Sequence, residues 1–496
     1  MFEFNTTLLS GFSLLPLLCG VIRKSNANVV IDTSDYRNSD ITVHPLLPIQ
    51  GQEAIIKSKI HNQSQQELSL LLSLQIYDSD NYCATKQISI AAKSVKEVEW
   101  KWVPKKNGWK KLVISATEDK TKKKISSSIQ VPVIATPLYF SWFGEDKDLR
   151  YANLVMANDK ETQNHWKSRG VLPWMVKSVK RAIPWLKREV KDKGPSELYK
   201  EYLHFELDKI GASAIHIDEI GGYSDREISE RPHLEGIRLF KKKYPDIFVG
   251  LYVCGSLKPS VALLAVKSNP SVDLLLLESY LNYKVPIFNS YTRYTYFDQR
   301  ILTARDYDAL EHSLMVLGVM GKEDEYELST FDLEEQVRYI RSEAPEMPGI
   351  GFYSAGTKNK ELKLFADHLC LKYFIQPVIA FWDRDLFLSD STPTKGSSVS
   401  IKAVIHNIGG MDAEKIKVSF YQGDPLAGGK KIGKSVVVQS LPADKGVPRG
   451  KYVVEQIWKP TKVGHHNLFV EVIPEKPGVT LLNGIAKRTV FVQKEK

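Results

Sequence analysis

Apolar and polar positions along this chain follow three successive rhythms. From Val29 to about Val133 the apolar residues come in short β-branched runs, at 55–60, 68–76, 88–90, 95–102 and 111–116. Turn residues such as Asn62-Gln63-Ser64 and Asn107-Gly108 separate them. Short strands at this spacing predict a β-sandwich. The same rhythm returns after Gln376, with alternation over 398–406 and 415–421 and further runs at 435–439, 451–458 and 466–472. Between these regions, apolar runs at 138–143, 152–156, 171–176, 214–218, 248–253, 273–278, 313–319 and 350–354 alternate with helical stretches. The helical stretches are 197–210, 233–244, 259–268, 333–343 and 360–374, and Pro195-Ser196 supplies a starting signal for the first. Repeated βα units in about 240 residues predict a (β/α)8 TIM barrel. No Gly-rich phosphate fingerprint follows the first run, which disfavours an open doubly wound sheet. The expected architecture is multidomain: a central barrel, 136–375, flanked by two all-β immunoglobulin-like sandwiches, 28–135 and 376–496.

Composition adds the surroundings. With 496 residues, 43% hydrophobic and 25% charged, the chain can fill large globular cores. The net charge of +10 is spread along the sequence in short runs such as Lys122-Lys123-Lys124. Nucleic-acid binders concentrate charge on one face or arm, so no nucleic-acid partner is expected. An apolar run from Leu8 to Ile22 precedes Ser25-Asn26-Ala27, which fits a signal peptide over 1–27, cut after Ala27. The protein is then secreted, periplasmic or held at the cell surface, and touches a membrane only if this segment stays uncleaved or lipidated. Cys83, Cys254 and Cys370 are far apart, and no CxxC or His/Cys cluster occurs. Neither a disulfide framework nor a metal site is expected, and no cofactor is implied.

The two ends share wording. The first has Ile60-His61-Asn62 and Trp102-Val103-Pro104 followed by Gly108; the second has Ile405-His406-Asn407 and Trp458-Lys459-Pro460 followed by Gly464. One module used twice explains this. The second copy also carries Asn407-Ile408-Gly409-Gly410 and Phe420-Tyr421-Gln422-Gly423-Asp424-Pro425. On these segments it resembles the CARDB family, immunoglobulin-like adhesion modules of bacterial exported proteins. The first copy lacks the glycine pair after Asn62.

Barrel chemistry sits at the C-terminal ends of strands and in the loops that follow. The fourth run reads Ala214-Ile215-His216-Ile217-Asp218-Glu219-Ile220-Gly221-Gly222. Period-two alternation turns Ala214, His216 and Asp218 to one face and Ile215 and Ile217 to the other. His216 and Asp218 are therefore expected in the pore, with Glu219 on the rim. The sixth run is four leucines, Leu274 to Leu277, ending in Glu278-Ser279-Tyr280. A carboxylate placed there is poised at the mouth, and its apolar approach would favour the protonated form. Other exits supply aromatics: Trp142, Trp174, Tyr252, Tyr280 and Tyr353, with Tyr283, Tyr291, Tyr294 and Tyr296 in the loop after the sixth run. Their faces match the apolar C–H face of a pyranose. The acidic run Glu323, Asp324, Glu325 reads as a solvated loop.

The barrel region resembles the (β/α)8 glycoside hydrolases, and its carboxylates after the fourth and sixth strands resemble the α-galactosidase-type placement. That resemblance implies Asp218 as nucleophile or base and Glu278 as general acid. His216 stands where that group has a lysine, and Glu219 is an alternative proton donor. The expected activity is hydrolysis of an oligo- or polysaccharide by a carboxylate pair, with separation of about 5–5.5 Å for retention and about 6.5–9.5 Å for inversion. The competing expectation is a non-catalytic carbohydrate-binding or adhesion protein. A metal-dependent barrel enzyme is the third reading, and His216 with Asp218 is too few ligands for it.

Overall fold

The computed structural model describes residues 28–33, 39–77, 82–143, 149–178, 182–187, 192–220, 230–280, 290–319, 328–353, 360–443 and 450–495. The expected leader, Tyr283 and the acidic run 323–325 lie outside the described residues. The chain divides into two compact units. The first gathers the described residues up to Thr42 with Ile56–Trp100 and Lys111–Gln130; the second gathers Val43–Ile55, Lys101–Lys110 and Val131–Lys496.

The N-terminal sandwich rests on two four-stranded sheets. In one, Ala54–Asn62 pairs with Val29–Val30, Ile41–His44 and Val95–Trp102; the other runs Tyr82–Ile90, Leu68–Tyr77, Gly108–Glu118, Lys124–Val133. Strict alternation along Leu68–Tyr77 buries Leu68, Leu70, Leu72, Leu74 and Ile76 on one face, which is why that strand reads so clearly in sequence. At the end of Ala54–Asn62, Asn62 is almost fully buried. Its Nδ2 donates to the carbonyls of Gln66, Ile90 and Ala91 at 2.8–3.0 Å, and its Oδ1 accepts from Ser64 N. Beside it His61 Nε2 lies 2.9 Å from Asp40, 21 residues earlier.

The second unit holds the barrel. Its strands are β1 (Tyr139–Phe143), β2 (Leu154–Met156), β3 (Leu172–Ser178), β4 (Ala214–Ile220), β5 (Phe248–Val253), β6 (Leu274–Ser279), β7 (Ser313–Gly318) and β8 (Gly349–Tyr353). All neighbours are parallel and β8 closes onto β1, so the barrel is complete. Two apolar layers follow from strand alternation. Ala214, Leu274, Leu276, Leu314 and Val316 fill the lumen. Ile215, Ile217, Leu275, Leu277 and Leu317 face the outer layer, where the helices pack. Inside, glycines make room: a Cβ at Gly250 would stand 2.7 Å from the Trp174 ring, and one at Gly351 would stand 2.8 Å from Val316.

Helices appear at 197–210 and 333–343 much as expected, as Pro195–Ile210 and Thr330–Glu343. Three expectations change. The stretch 259–268 is helical only over Pro259–Ala262. Ser290–Asp306, expected as an aromatic loop, is a helix. The stretch 360–374 is an α-helix over Lys360–Cys370 that relaxes into a π turn, Leu371–Ile375.

The C-terminal sandwich belongs to the same unit. One of its sheets joins Leu386–Leu388, Val399–Asn407, Val378–Ala380 and Thr480–Leu481, with Lys451–Trp458 on Val399–Asn407; the other runs Lys430–Leu441, Ala413–Gln422, Gly464–Pro474, Ile485–Val492. The motif of the first module recurs here. Asn407 is fully buried, donates to the carbonyls of Met411 and Leu441, and accepts from Gly409 N and Val378 N. His406 again faces an aspartate, Asp385, at 3.3 Å and at the same sequence separation. Gly108 and Gly464 both adopt positive φ, 110° and 115°. These shared details support the repeat read from sequence.

The glycine pair found only in the second copy lies where the chain crosses from the barrel into this module, and Gly410 touches barrel residues. A Cβ at Gly409 would lie 2.0 Å from the Gln376 carbonyl oxygen, and one at Gly410 would lie 2.9 Å from Leu138. Arg341 completes the junction. It is 2% exposed and donates to the carbonyls of Tyr373, Pro345 and Met347 at 3.0–3.3 Å and to that of Ile408.

Candidate active site

β4 behaves as its alternation requires. Ala214 lies in the lumen cluster, and the His216 ring packs among Phe143, Trp174 and Tyr252, with centroids 4.7, 4.6 and 5.2 Å away. Asp218 is the next inward position, half-buried at the strand end and in register with Ser178 of β3. Beyond Ile217 the pairing with β5 shifts by a bulge, a common way to re-aim side chains near a site. Glu219 lies on this bulge, and its side chain is outside the described residues.

β6 brings the second carboxylate. Leu274 and Leu276 point inward, so Glu278 continues that face; it is half-buried and in register with Val316, a lumen residue of β7. Between β4 and β6 stands β5, whose last inward aromatic is Tyr252. The Tyr252 and Tyr280 hydroxyls are hydrogen-bonded to each other. Tyr280 in turn stacks on Tyr353 of β8, with centroids 5.0 Å apart and planes at 21°. Phe143 closes this wall at 5.1 Å from Tyr252 and 6.0 Å from Tyr353.

The electrostatics follow from burial next to carboxylates. Burial pushes the Tyr353 phenol up, and Asp218 and Glu278 both push it further. Tyr252 is raised by burial, with Glu278, Cys254 and Asp218 adding to the effect. Tyr280 is raised by burial, then by Tyr252 and Glu278. Negative charge near a phenol disfavours the phenolate, so the same two carboxylates reach the same ring pair. His216 goes the other way: burial lowers it to about 3, and it stays neutral.

The aromatics separate into three groups. Trp142 corrects an expectation: it is 1% exposed, packs against Phe352, and belongs to the outer layer instead of the mouth. Its neighbour Phe143 takes the inward place. Trp174 does face the lumen, but it is fully buried over Gly250 and plugs the barrel below His216. Tyr252 is 3% exposed, whereas Tyr280 and Tyr353 are half-buried and reach the opening. The side chains of Tyr291 and Tyr294 lie outside the described residues; Tyr296, on the helix after β6, stacks against Arg300 at 3.9 Å.

Arg300 has no counterpart among the sequence-derived candidates. It is 1% exposed, donates to Tyr296 Oη at 2.8 Å and to the Gly255 carbonyl, and so ties the end of β5 to the helix that follows β6. The cue in sequence was an arginine four residues after a tyrosine on one helix face. Among the described residues no group of three or more His, Cys, Asp or Glu gathers as a metal site.

No protein-family model matches the chain, and no curated protein matches its sequence. Solved structures resemble it at low TM-score. The β-glucuronidase 2 of Bacteroides uniformis, covalently bound to a cyclophellitol-6-carboxylate aziridine, is 12% identical at a TM-score of 0.30; the match covers 94% of this chain and 63% of that one. The chain thus spans less than two thirds of that enzyme's length. A cycloisomaltooligosaccharide glucanotransferase of Paenibacillus sp., complexed with cycloisomaltoheptaose, is 8% identical at 0.33, covering 91% of this chain and 71% of its own. A CARDB domain from Pyrococcus furiosus, in complex with di-metal ions, is 22% identical at 0.20 and covers 24% of this chain and 91% of its own. Likenesses at this level carry no assignment of activity.

Proposed function

We propose that the protein is a glycoside hydrolase that cleaves an oligo- or polysaccharide at the barrel mouth. The observation that carries this reading is the pairing of two inward carboxylate positions, Asp218 on β4 and Glu278 on β6, with one phenolic wall, Tyr252 and Tyr353, that both carboxylates influence. A pair of carboxylates flanking the scissile bond is the usual machinery of glycoside cleavage. One donates a proton to the leaving oxygen; the other attacks the anomeric carbon or activates water. Tyr280 and Tyr353, half-buried and stacked, offer ring faces to the sugar. Asp218 is assigned as nucleophile or base and Glu278 as acid, with Glu219 as the alternative donor. On this reading residues 136–375 cleave the polymer, the modules at 28–135 and 376–496 hold it or position the barrel, and the protein works outside the cytoplasm.

The test is hydrolysis of a glycan panel by wild type, Asp218→Asn and Glu278→Gln. Loss of one acid–base group should lower kcat by about 10²–10⁴-fold. Undiminished turnover in both variants would end the proposal. Glycan binding without turnover by the wild type would replace it with a binding protein.

A further inference from the structure

We infer that the Tyr252–Tyr280 hydroxyl pair acts as one hydrogen-bond donor to the sugar held between Asp218 and Glu278. The inference rests on the glycosidase reading and adds to it a role for the two hydroxyls, beyond ring stacking.

Position comes first. Tyr252 lies one residue before the end of β5, the strand between those bearing Asp218 and Glu278, and Tyr280 follows Glu278 by two residues, on the same face. The pair therefore comes from the strand between the two carboxylates and from the exit that bears Glu278. Proton count comes second. The bond between the hydroxyls uses one of their two protons, whichever phenol gives it. The other O–H is not used by that bond. Surroundings come third. The groups around the pair are the Phe143 ring from β1, His216 and Asp218 from β4, Cys254 at the β5 exit, Glu278 from β6 and the Tyr353 phenol from β8. Buried among neutral rings and near two carboxylates, the phenols hold their protons far above the working range of a hydrolase. They can orient a sugar oxygen and stabilise it, but they cannot pass a proton to it. That division leaves proton transfer to the carboxylates and gives the phenols binding that can tighten in the transition state.

A single donor made of two residues predicts non-additivity. Y252F and Y280F should each lower kcat/KM by about ten- to a hundredfold, and the double variant should be no worse than the poorer single within about threefold. The pH–rate profile should keep both of its limbs in place, because no titrating group is removed. A purely structural role would instead give additive losses that follow thermal stability, and that result overturns the inference. So does a pair of singles with wild-type kcat/KM. If the wild type cleaves nothing, the glycosidase reading fails, and the pair is judged on the tightest-binding oligosaccharide of a glycan array. Equal loss of that binding in both singles sustains the donor pair, and unchanged binding overturns it. A chain that neither cleaves nor binds any glycan overturns both.

Discussion

Replacing Arg341 with methionine tests whether the barrel and the C-terminal sandwich fold as one body. The side chain is 2% exposed, its guanidinium stacks on Phe374 at 4.5 Å, and its donors satisfy four carbonyls. Three of those carbonyls, of Tyr373, Pro345 and Met347, lie in barrel segments; the fourth, of Ile408, lies in the sandwich. Methionine fills most of the volume and removes every donor. Each buried carbonyl left without a partner costs about 1–3 kcal/mol. Release of a desolvated charge offsets part of that sum, so the net loss should be about 3–5 kcal/mol. At roughly 2–4 °C per kcal/mol for a segment of this size, the calorimetric midpoint should fall by roughly 6–20 °C. The transition should also split, since the sandwich has its own core and loses one of its ties to the barrel. Scanning calorimetry with urea unfolding followed by tryptophan fluorescence reads both effects. A loss under about 1 kcal/mol with a single unchanged transition would refute the claim that Arg341 joins the two cores.

Other perturbations probe separate parts of the fold. Gly409→Ala places a Cβ 2.0 Å from the Gln376 oxygen, a backbone atom that cannot swing aside, and should destabilise by at least about 2 kcal/mol in urea unfolding; a neutral result would contradict the packing described. Asn62→Ala and Asn407→Ala should each cost about 2–4 kcal/mol, and aspartate should not rescue either, because Nδ2 donates to carbonyls. Burial raises the Asp367 carboxyl to about 6, against the pull of the Tyr151 and Arg150 backbone N–H groups that bond it. Its folded pKa exceeds the unfolded value, so its contribution is most favourable at low pH and declines as pH rises from about 4 through 6. Asp367→Asn keeps the accepting oxygen and should gain on wild type by up to about 3 kcal/mol between pH 4 and 7. A difference in stability that stays flat across that range would exclude this account.

Sequence legibility followed contrast. The Ala214–Asp218 run announces its inward face because isoleucines alternate with small, polar and acidic residues, and the structure keeps that order. The leucines before Glu278 have no contrast of their own, but the carboxylate at their end fixes the parity. β1 offers neither aid. Tyr139-Phe140-Ser141-Trp142-Phe143 is aromatic on both faces, so nothing in it says that Phe143 turns inward and Trp142 outward; only the ladder with β8 and β2 decides. The helix Ser290–Asp306 hid for a related reason. Its tyrosines, threonines and arginines form no clean apolar stripe, and tertiary packing overrides a weak local pattern. Arg300 and Arg341 look like ordinary surface arginines in sequence. Apart from Tyr296, which the four-residue spacing on one helix face ties to Arg300, their partners are carbonyl groups, which every residue has and no pattern of side chains reveals.

The glycine pair after Asn407 marks a limit on interchange between the duplicated modules. By sequence position, Ser64 of the first module corresponds to Gly409 of the second. A transplanted first-module loop would drive the serine Cβ into the Gln376 backbone, where the chain enters the sandwich from the barrel, and distort that entry. The two copies are therefore alike as folds and unlike as parts. A recombination between the copies would therefore keep the general sandwich and lose the close approach of backbone that Gly409 permits.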